Sequence, residues 1–264
     1  MKKVMFTVTV VLLLAAFGIS AFMVGSYLME GKEQEQLNND LAQIVSNAQT
    51  TPRETTAGTA EETTRVTETA EEGGMLPGYK EIYEMNNDTV GWIKLPGTEL
   101  DYPVMQTPNS TDYYLYRDFT KAESKRGCIY AREVCDINEP SDNITIYGHN
   151  MADGSMFASL NAYVDKSAWD QNSLIFFDTL TEYHTYKIFA VFTTSANVGQ
   201  GFSYHQFVDA ANEAEFNEFV STCKSLAKYD TGITPVYGDK LICLSTCEYT
   251  HDNGRLVVAA VRIT

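Results

Sequence analysis

The chain has 264 residues, 44% of them hydrophobic and 20% charged, an ordinary globular composition with room for one or two domains. Its 35 acidic against 19 basic residues leave a formal charge of −16 at pH 7. That balance excludes a nucleic-acid surface, which needs Lys and Arg clustered against phosphate, and no basic stripe lies beyond the first three residues.

Lys2 and Lys3 precede a charge-free apolar run over residues 4–29. At about 1.5 Å per residue, a helix of that length crosses a bilayer core. The apolar region of a cleaved signal peptide is shorter, roughly 7–15 residues, and ends at a small-x-small site. This run is longer and lacks a clear site of that kind just before the polar turn, so it reads as an uncleaved signal-anchor. Residues 1–3 are then a cytoplasmic stub, and everything after residue 29 lies outside.

Residues 30–75 read as a stalk and linker. Leu37, Leu41, Ile44 and Val45 are spaced for a short helix leaving the membrane, as far as about Gln49. The stretch TPRETTAGTAEETTRVTETAEEGG follows, rich in Thr and Glu and poor in bulky apolar residues. Such a segment buries too little surface to offset its ordering entropy, so a disordered spacer is expected.

Folded character runs from residue 76 to 264. PGYKEIYEMN carries Tyr79, Ile82, Tyr83 and Met85 on one side of a short helix. Runs rich in Val, Ile, Tyr, Phe and Thr then predict about eight strands, over 89–95, 100–105, 127–131, 143–149, 173–178, 183–194, 239–247 and 255–263. Two helices interrupt them, at 155–163 and 209–229. The second has Phe216, Phe219, Val220, Cys223 and Ala227 as its buried stripe and Asp209 as a candidate N-cap. Many strands with few long helices imply a β-barrel or sandwich with helical insertions.

The five cysteines are Cys128, Cys135, Cys223, Cys243 and Cys247. An odd count in an exported chain leaves at least one thiol unpaired. Their spacing suggests no zinc site. Buried free thiols are the reading taken, with a Cys128–Cys135 bridge as the alternative, and Cys223 on its helical stripe reads as core.

The stretch LSTCEYTHDNGR joins the last two strands. A hairpin through it sets Cys247 and Arg255 on neighbouring strands, about 4.8 Å apart. A nearby cation favours the thiolate, which is the nucleophile, and an arginine can donate to a developing oxyanion but cannot act as a base. From spacing alone, a half-buried cysteine beside a surface arginine fits equally. Four histidines could supply the base. His251 sits in the turn itself, His184 opens a strand, and His205 lies in a loop. His149 ends the strand-like run NITIYGH on a rigid element, where a general acid/base belongs.

YGHNM with GSMF and Leu160 (147–160) and LSTCEY with NGRLVVAA (244–260) together resemble the sortases, cysteine transpeptidases of Gram-positive surfaces. That family carries a histidine at one strand end, a TLxTC motif at another and an arginine on the next strand. His149, Cys247 and Arg255 match these positions, with Cys243 where the first Thr of the motif usually stands. NNDTVGWIKLPGTELDYPVMQ, DYYLYRDF and YDTGI resemble class B in particular, and the likeness covers residues 76–264.

The resemblance implies an eight-stranded sortase-type barrel with helical insertions behind a single N-terminal membrane helix. It implies that Cys247 attacks a Thr carbonyl in a secreted protein's C-terminal sorting signal. His149 serves as acid and base, and Arg255 stabilises the oxyanion together with the Glu248 N–H. The thioester then passes to an amine of a peptidoglycan precursor. Leu115, Ser245 and Glu248 match positions lining the class B groove. No cofactor is implied, and the acidic calcium cluster of class A finds no match, so no metal is expected. The implied location is a Gram-positive cell membrane, single-pass, N-terminus cytoplasmic, with the catalytic domain on the extracellular face. A pilin-joining class B enzyme, a hydrolytic cysteine protease and a catalytically silent membrane-tethered binding module stay open as alternatives.

Overall fold

The computed structural model describes residues 2–48, 74–197, 199–248 and 253–264. The Thr/Glu-rich spacer and the turn residue His251 lie outside the described residues. The chain divides into two units, Met1–Asp40 and Leu41–Thr264.

The first unit is a single helix. It belongs to α1 (Lys2–Ala48), whose N-terminal part is long and apolar enough to cross a membrane. Phe6, Phe17 and Phe22 stand exposed on it, as lipid-facing residues do. Two helices were expected over this region, an apolar span and a short polar one. The structure has one continuous helix, because no proline interrupts residues 30–48 and Gln36 donates to Asp40 one turn on, at 2.7 Å.

In the second unit eight strands close a barrel. They are β1 (Thr89–Lys94), β2 (Asp101–Met105), β3 (Ile129–Ala131), β4 (Asn143–Tyr147), β5 (Leu174–Thr179), β6 (Thr185–Ser195), β7 (Leu241–Glu248) and β8 (Gly254–Arg262). Their order round the barrel is β1-β2-β3-β4-β7-β8-β6-β5, with β5 returning to β1. The β2–β3 and β4–β7 pairs are parallel and the others antiparallel.

Strand alternation sorts the side chains into two cores. Ile144, Ile146, Ile242, Leu244, Leu256 and Val258 point into the barrel and pack with Phe157 and Leu160. The alternate residues Cys243, Val257 and Ala259 point outward and pack under α4 (Glu213–Leu226) through Phe216, Phe219, Val220 and Cys223. All five cysteines are free thiols, and only Cys247 is not buried.

Several element ends differ from expectation. The stretch expected as a helix over 155–163 is a 3₁₀ segment, Phe157–Val164, followed by α3 (Lys166–Gln171). The N-cap of α4 is Asn212, not Asp209: its side chain accepts from the Glu215 N–H at 3.1 Å. Asp209 instead accepts from the Asp142 N–H at 3.0 Å, tying the start of β4 to this loop. In α2 (Tyr79–Met85) Tyr79 and Ile82 are buried while Met85 faces solvent. Tyr79 also donates to Asp178 on β5 at 2.6 Å. The last turns of α1 meet α2 at Gly78, whose backbone lies so near that a Cβ there would be 2.9 Å from the Val45 Cα.

Barrel closure predicts a sensitive point at Gly91 on β1. A Cβ there would lie 2.2 Å from the Asp178 carbonyl oxygen of β5, a backbone atom that cannot swing aside. Gly91→Ala is expected to cost about 3 kcal/mol in urea unfolding. A cost under about 0.5 kcal/mol would mean that the β1–β5 seam is loose.

Candidate active site

The site is built by three adjacent strands, β4, β7 and β8. Cys247 lies directly opposite Arg255 in the β7–β8 pairing. Both continue the outward-facing series, Cys243 and Ser245 on β7 and Val257 and Ala259 on β8. On the other flank β4 runs parallel to β7 with Tyr147 beside Ser245. Two residues further, the same register sets His149 beside Cys247 on the same outer face. Hydrogen bonds carry this pairing past the end of β4. The Gly148 N–H donates to the Ser245 carbonyl at 3.2 Å, and the Thr246 hydroxyl donates to the Gly148 carbonyl at 2.8 Å. All three residues are half-buried at the barrel rim.

Gly148 is required by packing. A Cβ there would lie 2.5 Å from the Ile129 Cδ1 and 2.7 Å from the Phe157 Cγ. Phe157 thus fills the barrel mouth directly under the strand end, and its N–H donates to the His149 carbonyl at 2.9 Å. The imidazole is held separately: its Nε2 lies 2.7 Å from the Leu115 carbonyl oxygen. A carbonyl can only accept, so Nε2 carries a proton and Nδ1 is the ring nitrogen left free to take up or give up another. The exposed ring of Tyr116 lies alongside, 5.7 Å between centroids and tilted 41°.

Behind the cysteine–arginine pair lies a layer of which sequence reasoning named only Ser245 and His205, and neither in this role. Tyr204, on the 3₁₀ turn Tyr204–Gln206, is 2.5 Å from the Ser245 hydroxyl through its own. Burial pushes the Tyr204 phenol up to about 12, so it stays protonated. Its neighbour His205 is held below the usual imidazole range by burial and by the charges of Arg132 and Arg255. The Arg132 guanidinium donates to the His205 carbonyl. The Arg255 guanidinium donates to the Gly254 carbonyl at 2.9 Å, which folds it back along its own strand. Thr194 of β6 is its register partner on the other side. The only sequence signal for this layer is the aromatic density of GFSYHQF, which reads equally as core.

The expected groove residues fall in three different settings. Leu115 contributes its carbonyl to His149 and is itself half-buried. Ser245 is 1% exposed, its hydroxyl spent on Tyr204. Glu248 is the half-buried last residue of β7. Of the other histidines, His184 precedes β6, whose far end pairs with Arg255 at Thr194. Ten residues of strand put it roughly 30 Å away, where it pairs with Glu182 at 3.3 Å. Among the described residues no His, Cys, Asp and Glu group is arranged to hold a metal ion.

Known proteins resemble this chain along most of its length. The sortase domain family model matches residues 93–263. Sortase B of Listeria monocytogenes is 28% identical over 255 residues, covering 95% of this chain and 94% of that protein. Sortase B of Staphylococcus aureus is 28% identical over 186 residues, covering 70% and 74%. Among solved structures, the Staphylococcus aureus sortase B–substrate complex superimposes with a TM-score of 0.74 at 25% identity, covering 89% of this chain and 99% of that one. A Bacillus anthracis protein similar to sortase B gives 0.72 at 28% identity, covering 88% and 96%.

The buried hydroxyl pair behind the site is expected to act as one unit. Tyr204→Phe or Ser245→Ala alone removes one partner and should cost about 1–2 kcal/mol in urea unfolding. The double variant should cost clearly less than the sum of the two. Strict additivity would show that the two hydroxyls do not depend on one another.

Proposed function

The chain belongs to the sortase family and is a class B, sortase-type cysteine transpeptidase; from that premise we propose that Cys247, His149 and Arg255 cleave a C-terminal sorting signal after Thr and pass the product to an amine of a peptidoglycan precursor. The observation that carries this reading is the register of three strands: Cys247 opposite Arg255 across β7–β8, with His149 two residues beyond the last β4–β7 pair.

The Cys247 thiol passes its proton to His149 Nδ1, and the thiolate attacks the Thr carbonyl carbon, forming a C–S bond while the C=O π electrons become the oxyanion. Arg255, opposite Cys247 on β8, offers a fork of N–H donors to that oxygen once turned from the Gly254 carbonyl. The C–N bond then breaks, and the departing amine takes a proton from His149. This leaves a thioester on Cys247. The second amine attacks the thioester carbonyl, His149 takes its proton, and the thiolate departs with the C–S electrons. The proton crosses at Nδ1, since Nε2–H is committed to Leu115.

The domain plan follows from the same reading: a stub over residues 1–3, a signal-anchor over 4–29, a stalk and linker over 30–75 and the catalytic domain over 76–264. The N-terminus lies in the cytoplasm and the barrel on the outer face of a Gram-positive cell membrane. Tethering enzyme and membrane-held substrate to one surface raises their effective concentration. Peptide recognition draws support from the structural relative that is a substrate complex, and the cell-surface setting from the exposed apolar helix.

Turnover of a sorting-signal peptide, followed by mass spectrometry with and without an added amine, tests the assignment. The amine should divert product from hydrolysis to the adduct. Cys247→Ala and His149→Ala should abolish both products, whereas His251→Ala should keep most activity. Arg255→Lys keeps the charge but loses the fork, and kcat is expected to fall about a hundredfold. A silent His149→Ala or a fully active Arg255→Lys would overturn the constellation.

A further inference from the structure

The parallel β4–β7 ladder needs one more rung than β4 can supply. Rungs of a parallel pair recur every second residue. After the Gly148 N–H on the Ser245 carbonyl, the next acceptor is the Cys247 carbonyl and the next donor is residue 150. By that point the chain has turned away, with Asn150 in an isolated antiparallel bridge with Met156. The rung is made by a side chain instead: Asn150 Nδ2 donates to the Cys247 carbonyl at 2.8 Å. The Asn150 amide is oriented in turn by Asn161, whose Nδ2 donates to Asn150 Oδ1 at 2.8 Å. Asn161 stands exposed on the 3₁₀ segment Phe157–Val164.

We propose that Asn150 is a positioning residue for the reaction: its side-chain amide completes the β4–β7 ladder at the Cys247 carbonyl and so holds the thiol against His149. The inference rests on the reading of Cys247 as nucleophile and His149 as its acid and base. A main-chain rung would carry β4 onward beside Cys247. A side-chain rung pins the Cys247–Glu248 peptide plane while the main chain leaves. Asparagine suits the position because its amide carries donors for Cys247 and an acceptor for Asn161. Aspartate matches its shape but offers no donor and sets a carboxylate against a carbonyl.

Alkylation of Cys247 by iodoacetamide, followed by mass spectrometry of the Cys247 peptide across pH, tests this on the whole chain. Among the described residues, the titratable and charged groups round the thiol are His149 just past β4, Glu248 next along β7, Arg255 opposite on β8 and Tyr204 behind, with His205 beside Tyr204. In Asn150→Ala the thiol drifts from His149, and the alkylation midpoint is expected to move to higher pH. Asn150→Asp should move it further, since the added negative charge opposes the thiolate. Asn161→Ala, an exposed change that leaves the barrel core alone, should move it in the same direction by less. With peptide substrate, Asn150→Ala should lower kcat about ten- to a hundredfold with KM nearly unchanged. Asn150→Gln, which keeps the amide, should recover part of that loss. If Asn150→Ala does not fold, the Asn161→Ala midpoint decides. A purely structural role would lower the unfolding temperature and leave every midpoint at the wild-type value, and that result overturns the proposal. The reading beneath it fails separately, if wild-type Cys247 alkylates no faster than the same thiol in urea or if Cys247→Ala still transfers.

Discussion

Parallel pairing of β4 with β7 joins strand ends that are 98 residues apart at the Gly148–Thr246 contact. Parallel strands need a long crossover, here the stretch that contains β5, β6 and α4, and they finish at the same end of the barrel. Their two exits therefore share one rim, with His149 leaving β4 and Cys247 near the end of β7. An antiparallel pair would have sent the exits to opposite ends. Antiparallel β8 then starts at that same rim, so Arg255, its second residue, faces Cys247. The site is thus a consequence of strand direction and register, with little left for loops to arrange.

The period of two along each strand does the second half of the work. On β7 it sends Ile242 and Leu244 into the barrel and Cys243 and Ser245 outward, with Cys247 next in the outward series. As far as Ser245 that outer face is roofed by α4 and the Tyr204 segment, and Cys247 emerges where the roof ends. Burial also disarms the competing thiols: it pushes Cys128, Cys135, Cys223 and Cys243 up, so they hold their protons. One chain can therefore carry five thiols and present one of them.

How much of this was legible depended on the range of the interaction. The eight strands were legible because β-branched and aromatic runs alternate between turn residues, and their observed ends fall within about two residues of those expected. The stripe Phe216, Phe219, Val220 and Cys223 was legible for the same reason, being local and periodic. The α4 cap was not, since Asp209 and Asn212 are both good N-caps and only the tertiary bond from Asp142 decides between them. Phe157–Val164 was expected to be α-helical, but its backbone is wound tighter while Phe157, Leu160 and Tyr163, three apart, are buried. His149, Cys247 and Arg255 stood out through motif resemblance, whereas Tyr204 and Asn150 act through partners 41 and 97 residues away that no local pattern announces.

The partner chosen for His149 bears on how one histidine can serve two opposite steps. In many cysteine and serine hydrolases the histidine is oriented by a carboxylate or a side-chain amide. Here a main-chain carbonyl does it, from Leu115 on the 3₁₀ turn Tyr113–Tyr116. A carbonyl fixes the tautomer and the direction of the ring without placing a fixed negative charge against it. A carboxylate would also favour the imidazolium, helping the ring to take a proton and hindering its release to a departing amine. Since the proposed reaction has His149 give a proton in the first step and take one in the second, a neutral orienting group would leave the two steps more evenly matched. The lasting charge of the proposed site is on Arg255, opposite Cys247 across β7–β8.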